Sequence, residues 1–393
     1  MFQQSGTLGL GIGNNSIPGI VCLDDDGIYA LDDRGVTLLD LTHPGATGTG
    51  RAPKVADLRC VNTSVEDEGE KPVPSTLLPA ADTPQGPVVL AASNKTIEGA
   101  GTTPDAYQGV LRAVAWGTGA PAWQVTWPYK GEAGGYERSG VVGVAESATA
   151  VVVLGGAEQV PTTFGIDLAS HKVVWQKYGF EAQVIDGSVV VGRSTDDGYW
   201  DDDGLESMDS TLLGLDAATG RQRWSALAGS TALHSRLLAP DRIWTTTSDP
   251  DGSTTETVLS TDEGRDVGLP GIGGENRTTL SCLYDGRSVL VCSASTLKGY
   301  ELSAIDTRTG KRLWVLGGPD DTSGRKVPGL AAAWHGAVYC SLGADDETRE
   351  GIVLDARTGE GLETTPGAVP RLVNAYGGLV AEGAQPGFYP AAR

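Results

Sequence analysis

The stretch Leu212 to Trp224, LLGLDAATGRQRW, reads as a strand, a tight turn and a second strand. Leu213 and Leu215 alternate with small or polar positions, as a half-buried strand requires. Asp216 can hydrogen-bond its own backbone two residues on, and Gly220 can take the positive φ that ends such a turn. Trp224 follows four residues after the glycine, where a large ring can cover the flank of a neighbouring unit.

The same phrase recurs along the 393 residues. Aligned on the turn glycine, the copies fall at Gly119 (with Trp123), His171 (with Trp175), Gly220, Gly264, Gly310 (with Trp314) and Gly359. Gly268 and Glu363 stand where two of the tryptophans should be. The spacings are 52, 49, 44, 46 and 49 residues, and a degenerate copy, LLDLTHPG, ends at Gly45. Between copies lie paired apolar stretches joined by short turns, such as TLSCLYDGRSVLVCSA, AQVIDGSVVVGRS and AAAWHGAVYCSLG. Asp285-Gly286, Asp186-Gly187 and His335-Gly336 sit at their hairpin tips. Each unit is then four strands, A to D, with the signature turn bridging C and D. No helical period competes. An all-β chain of four-stranded units at this period predicts a β-propeller, in which a ring of blades leaves only short, protected edges.

The termini predict the closure. RLVNAYGGLVAEGAQPGFYPAAR supplies strands A, B and C of a last unit without a D strand. SGTLGLGIG supplies one orphan strand near the N-terminus. Pairing them gives an eight-bladed β-propeller of antiparallel blades, closed by the N-terminal strand joining the C-terminal blade, as one domain over residues 1–393. Residues 42–87 break the regularity with a polar, Pro-rich excursion that also holds the outer strand of the first blade.

LGLDAATGRQRW and SAIDTRTGKRLW resemble the PQQ-like β-propeller repeat, whose blades end in A-[LI]-D-x-x-T-G-x-x-x-W. VLDARTGEGLE matches without the Trp, and GIDLASHKVVW without the Thr-Gly. The resemblance covers essentially the whole chain. It implies that Trp123, Trp175, Trp224 and Trp314 dock between adjacent blades. Asp167, Asp216, Thr219, Gly220, Asp306, Thr309, Gly310, Asp355, Thr358 and Gly359 then complete a structural signature. The family divides between quinoprotein alcohol and sugar dehydrogenases, which hold PQQ and Ca²⁺, and non-catalytic propellers. The latter include BamB-type assembly scaffolds and sensor domains of actinobacterial proteins, some attached to Ser/Thr kinases. The Ala-, Gly- and Arg-rich, Lys-poor text has an actinobacterial look.

Charge narrows the partners. Fifty acidic against 29 basic residues give a net charge of −21, which argues against nucleic acid, whose phosphates need clustered Lys and Arg. No apolar run approaches the roughly 20 residues that span a bilayer. MFQQSGTLGLGIG has neither the basic nor the apolar region of a signal peptide, so the chain is cytosolic as written or a portion of something longer. The five cysteines, Cys22, Cys60, Cys282, Cys292 and Cys340, show no CxxC spacing and read as small buried hydrophobes. A two-residue Asp285-Gly286 tip would set Cys282 opposite Val289, leaving Cys282 and Cys292 unbridged.

No GxSxG, HExxH or P-loop pattern occurs, nor the adjacent cysteine pair that many of the resembling alcohol dehydrogenases carry beside PQQ. His171 and His335 stand at turn positions, and no catalytic residue is carried over. The expectation is a monomeric, non-catalytic scaffold or sensor that needs no cofactor and binds a protein or a small ligand. The alternatives are a PQQ/Ca-dependent dehydrogenase and the sensor portion of a membrane Ser/Thr kinase. Binding belongs on the B–C loops, which include DDGYWDDDG (196–204), DPDG (249–252) and Asp345-Asp346-Glu347. Tyr199, Trp200, Asp249 and Asp251 are the candidate partner contacts. Asp201 and Asp203 are candidate Ca²⁺ ligands, because oxygen-rich Asp-Gly loops suit that hard cation.

Overall fold

Period-two alternation makes strands, and strands are the only regular elements of the computed structural model among the described residues. These are residues 20–23, 27–32, 35–40, 59–62, 80–83, 86–97, 106–115, 121–129, 140–155, 160–195, 210–248, 254–269, 277–296, 299–318, 321, 325–342, 350–366, 369–380 and 387–390. The chain divides into two compact units, Met1–Ser75 with Gly268–Arg393, and Thr76–Val267. One division, at Val267/Gly268, falls at the copy whose tryptophan is replaced by Gly268.

The first unit opens with β1 (Ile20–Leu23), β2 (Gly27–Asp32), β3 (Gly35–Asp40) and β4 (Arg59–Asn62), in the sheet order β3-β2-β1-β4. β4 therefore does not lie beyond β3 as the outer strand expected from residues 42–87. It pairs with β1 on the opposite edge, with Cys22 in register with Cys60. That excursion is also not one uninterrupted loop, since it contains β4 and the first strand of the second unit.

The second unit continues with β5 (Ala80–Thr83), β6 (Gly86–Ile97), β7 (Ala106–Ala115) and β8 (Pro121–Tyr129), paired in that order. β9 (Gly140–Val144), β10 (Thr149–Leu154), β11 (Thr162–Asp167) and β12 (Lys172–Tyr178) form the next sheet. β13 (Phe180–Asp186), β14 (Val189–Thr195), β15 (Ser210–Asp216), β16 (Gln222–Ala239), β17 (Arg242–Ser248) and β18 (Thr254–Leu259) form a six-stranded sheet. It joins two blades, because the 18-residue β16 is the D strand of one and the A strand of the next. Where a D strand is expected after Gly264, the described residues hold a single bridge between Leu259 and Asp266.

Back in the first unit, β19 (Arg277–Tyr284), β20 (Val289–Thr296), β21 (Gly299–Asp306) and β22 (Arg312–Gly317) pair in order, and so do β23 (Gly329–Trp334), β24 (Ala337–Ser341), β25 (Glu350–Asp355) and β26 (Gly361–Pro366). β27 (Leu372–Asn374), β28 (Gly377–Val380) and β29 (Gly387–Pro390) make the expected three-stranded sheet. β27 lies beside β1 and β4, so within this unit the last sheet neighbours the first. The N-terminal closing strand lies outside the described residues.

All pairings among the described residues are antiparallel, the blade architecture of a β-propeller. The cores lie between consecutive blades rather than at one centre. Leu90, Leu111, Val152, Phe164 and Ile166 form one such layer, and Val291, Leu302, Val338, Cys340 and Leu354 another. Middle strands are covered on both faces, so β10 is buried throughout, whereas the edge strand β12 buries only Trp175 fully. Two sheets stacked face to face remove apolar surface from water at about 25 cal/mol per Å², which is what holds blade to blade.

The cysteine register corrects the sequence expectation. Cys282 pairs with Cys292, and the two form a disulfide with a Cα–Cα distance of 4.0 Å. The hairpin is not closed by a two-residue tip. Asp285 is buried, and its Oδ1 accepts hydrogen bonds from the backbone N–H of Arg287, Ser288 and Val289. This capped loop is longer, Tyr284 pairs with Leu290, and every cross-strand partner shifts. Asp285 N–H donates to the Val289 carbonyl. By alternation Cys282 and Cys292 then form a closely spaced, non-hydrogen-bonded pair. Cys340 keeps its free thiol, fully buried as expected, and burial pushes that thiol up to about 12.

Candidate binding surface

The signature turns hold the most conspicuous polar residues. In each, the aspartate is spent on its own turn. Asp216 Oδ1 accepts from the Thr219 backbone N–H (3.0 Å) and hydroxyl (2.8 Å). Asp306 accepts from the same two donors of Thr309, both at 2.9 Å. Asp355 Oδ1 accepts from the Arg357 and Thr358 N–H groups, and Asp167 Oδ1 from the Ser170 N–H. Gly220, Gly310 and Gly359 donate N–H to the Asp216, Asp306 and Asp355 carbonyls, at φ of +68°, +68° and +69°.

Donors to a carboxylate favour its charged form. Arg223 Nη2, 2.6 Å from Asp216 Oδ2, together with Thr219, holds Asp216 below the ordinary carboxylate value. Ser170 lowers Asp167 in the same way. The Thr309 donors, with Arg357 of the following blade at 3.1 Å, bring Asp306 down to about 2. These are acids held ionised by structural donors, the opposite of a general acid at neutral pH.

The tryptophans dock between blades, as the resemblance implies. Trp175 Nε1–H donates to the Ala217 carbonyl at 2.7 Å, Trp224 to Thr261 at 2.8 Å and Trp314 to Ala356 at 2.8 Å. Each acceptor follows the Asp position of the next signature. Each ring also covers the next turn glycine, so that a Cβ on Gly220 would meet Trp175, one on Gly264 would meet Trp224 and one on Gly359 would meet Trp314. On its own blade the ring lies over strand C, where Gly165 and Gly214 face Trp175 and Trp224 and leave room for it.

Trp123 is the exception. The next turn carries His171 in the glycine place, at φ +56°, and the two rings stack with centroids 4.4 Å apart. Trp123 Nε1 and His171 Nε2 are buried with no hydrogen-bond partner among the described residues. The imidazole occupies the seat that lets the other indoles reach a carbonyl.

The A–B tips add a second set of ties. Asp186 Oδ2 accepts from the Asp241 N–H at 2.7 Å, and Asp285 Oδ2 from the Gly336 N–H at 3.1 Å, each reaching the following blade. His335 N–H also donates to the Asp285 carbonyl. From the sequence these aspartates are legible only as turn formers; the signal for the tie is an Asp at the hairpin tip of successive copies. His335-Gly336 is the two-residue tip expected, with both residues at positive φ. The Asp186 hairpin closes at Val189, so Gly187-Ser188 forms its tip.

The turn ends of the blades are thus occupied by internal bonds. At the other end, β14 stops at Thr195 and β15 starts at Ser210, paired with each other, and β17 and β18 meet at Ser248 and Thr254. Tyr199, Trp200, Asp201, Asp203, Asp249 and Asp251 fall between these strand ends in sequence and lie outside the described residues. Asp345, Asp346 and Glu347, between β24 and β25 in the other unit, also lie outside them. Two residues before the end of β14, Arg193, buried, pairs through Nε with Glu181 Oε2 at 2.6 Å, on cross-strand partners of β13 and β14. Among the described residues no group of three or more His, Cys, Asp and Glu side chains is arranged to hold a metal ion, and no helix is long and apolar enough to cross a membrane.

No protein-family model and no curated protein matches the chain. Among solved structures it is similar to BamB from Moraxella catarrhalis, at 16% identity over 97% of this chain and 91% of that one, TM-score 0.37. A europium-containing methanol dehydrogenase shares 11% identity over 93% and 81% of the two chains, TM-score 0.40. The β-propeller domain of the Trilobed protease from Pyrococcus furiosus shares 9% over 89% and 95%, TM-score 0.39. At these identities the likeness is one of fold alone.

Proposed function

We propose that this chain is a non-catalytic propeller that captures a protein or a small ligand through the acidic loops at the strand ends opposite its signature turns. The observation that supports this reading is the division of labour along the blade. Asp167, Asp216, Asp306 and Asp355 cap their own turns, and Trp175, Trp224 and Trp314 lock blade to blade. The residues with unassigned chemistry then belong to the opposite strand ends. There Trp200 and Tyr199 are the anchors, since buried aromatics dominate recognition energy. Asp201, Asp203, Asp249 and Asp251 select a cationic contact surface or a Ca²⁺ ion.

The test is site-specific photo-cross-linking with a benzophenone amino acid placed at position 200 or, as control, at position 221 on a signature turn. Partner cross-links concentrated at position 200, and weakened by Tyr199→Ala, support the proposal. Cross-links confined to position 221 overturn it, and so does reduction of a redox dye by an alcohol or sugar when PQQ and Ca²⁺ are supplied.

A further inference from the structure

Two pairs of cysteines stand directly opposite each other on neighbouring antiparallel strands of the first unit. One pair, Cys282 and Cys292, is bonded across β19 and β20. The other, Cys22 and Cys60, is likewise directly opposite across the antiparallel β1 and β4, with Val21 facing Val61 and Leu23 facing Arg59 on either side. Cys340 stands apart, because its cross-strand partner is Leu330 and its side chain is fully buried. Four cysteines can pair in three ways, and the two registers select one of them. We propose that Cys22 and Cys60 form a second disulfide, so that the mature chain carries two cross-strand bridges and one buried thiol.

The chemistry is thiol–disulfide exchange. The two thiols lose two protons and two electrons and join S–S, and an oxidised partner disulfide, such as that of glutathione, takes the electrons and becomes two thiols. The bond has a structural use. β4 reaches the edge of β1 only after the excursion that follows β3, and it is a four-residue strand. Short strands paired across a long loop lose much chain entropy on docking. Cys22 and Cys60 are 38 residues apart, against 10 for Cys282 and Cys292, so the bridge across β1 and β4 closes the larger loop and constrains the unfolded chain more. Such bridges persist where thiols are kept oxidised, which assigns the finished protein to an oxidising compartment or surface.

The experiment takes the full chain, equilibrates it with excess oxidised glutathione, alkylates it under denaturing conditions without reductant, and maps the peptides by mass. The expected result is a linked Cys22–Cys60 peptide, a linked Cys282–Cys292 peptide, and alkylation at Cys340 alone. Thermal melts of the oxidised chain should show a larger loss for Cys22→Ser with Cys60→Ser than for Cys282→Ser with Cys292→Ser. Reduction should bring all three proteins to similar melting temperatures. Alkylated Cys22 or Cys60, or either of them linked to another cysteine, overturns the proposal, and so does a Cys22→Ser, Cys60→Ser chain as stable as the parent.

Discussion

One atom separates the four signature tryptophans into two kinds. The indole N–H of Trp175, Trp224 and Trp314 reaches a carbonyl of the next blade, and that of Trp123 does not. Replacement by Phe removes this donor and leaves a buried carbonyl unpaired, a cost of about 1–2 kcal/mol beyond the loss of ring area. Trp224→Phe should therefore lower stability in urea unfolding by about 1 kcal/mol more than Trp123→Phe. Equal losses would show that the hydrogen bond contributes nothing. The glycines beneath the rings give a matched comparison, because Gly220 and Gly310 share φ +68°. A Cβ costs about 1–2 kcal/mol in that conformation alone. At Gly220 it would also collide with Trp175, whereas at Gly310, which follows the copy lacking its tryptophan, it meets nothing within 4 Å. Gly220→Ala should destabilise distinctly more than Gly310→Ala, as read by denaturant midpoints.

Turns, at the scale of the element, do more than reverse the chain. Asp285 serves four backbone N–H groups with one carboxylate, three in its own loop and one in the following blade. Asp285→Ala takes the acceptor from these donors, of which the Val289 N–H is buried and the Ser288 and Gly336 N–H groups part-buried, and the expected loss is about 2–3 kcal/mol. Asp285→Asn keeps the acceptor oxygen and should restore part of it. The signature turn carries an acid dependence of definite sign. Asp306 titrates near 2 when folded, against an ordinary value of 3.8. The unfolded chain therefore binds the proton first, and the turn's contribution is complete above the ordinary value. It is lost as pH falls through the window down to about 2. Unfolding curves at successive pH values should show Asp306→Asn less acid-sensitive than the parent across that window. Parallel curves would remove Asp306 from the account.

For the molecule as a whole the dominant quantity is its net charge of −21. Like charge spread over one folded chain repels itself, and salt screens that repulsion over a Debye length of about 10 Å at 0.1 M. Thermal stability should rise between about 0.01 and 0.2 M sodium chloride; a fall would mean that favourable ion pairs such as Arg223–Asp216 and Arg357–Asp306 outweigh the repulsion.

Much of the fold was legible because blades are local. A strand, a turn and the next strand lie within a few residues of each other, and repetition multiplies a signal that one copy leaves ambiguous. Gly220 could be read as a blade-closing turn residue and Trp224 as a repeat position because copies agreed, and the three-stranded end because its turns were spaced like the others. The cysteine register escaped, since it depended on where the Asp285 carboxylate pointed. The partner of β4 escaped too, because a strand that docks after an excursion leaves no period behind. The stacking of Trp123 on His171 joins residues 48 positions apart in different blades, a meeting that no local pattern records. The candidate binding loops were legible by position, from the strand ends that flank them, and by composition.

The sequence by itself determined that this protein is all-β, that it is built of blades with an Asp-capped turn and a recurrent tryptophan, and that its acidic Asp-Gly loops 196–204 and 249–252 fall between B and C strands. Those properties follow from neighbour-to-neighbour periodicity and turn chemistry, which act over a few residues. Only the tertiary structure decided which cysteines face each other, which edge β4 completes, which indoles find a carbonyl and how one carboxylate ties two blades together. Each of these depends on distances between segments far apart in the chain, and packing alone brings such segments together.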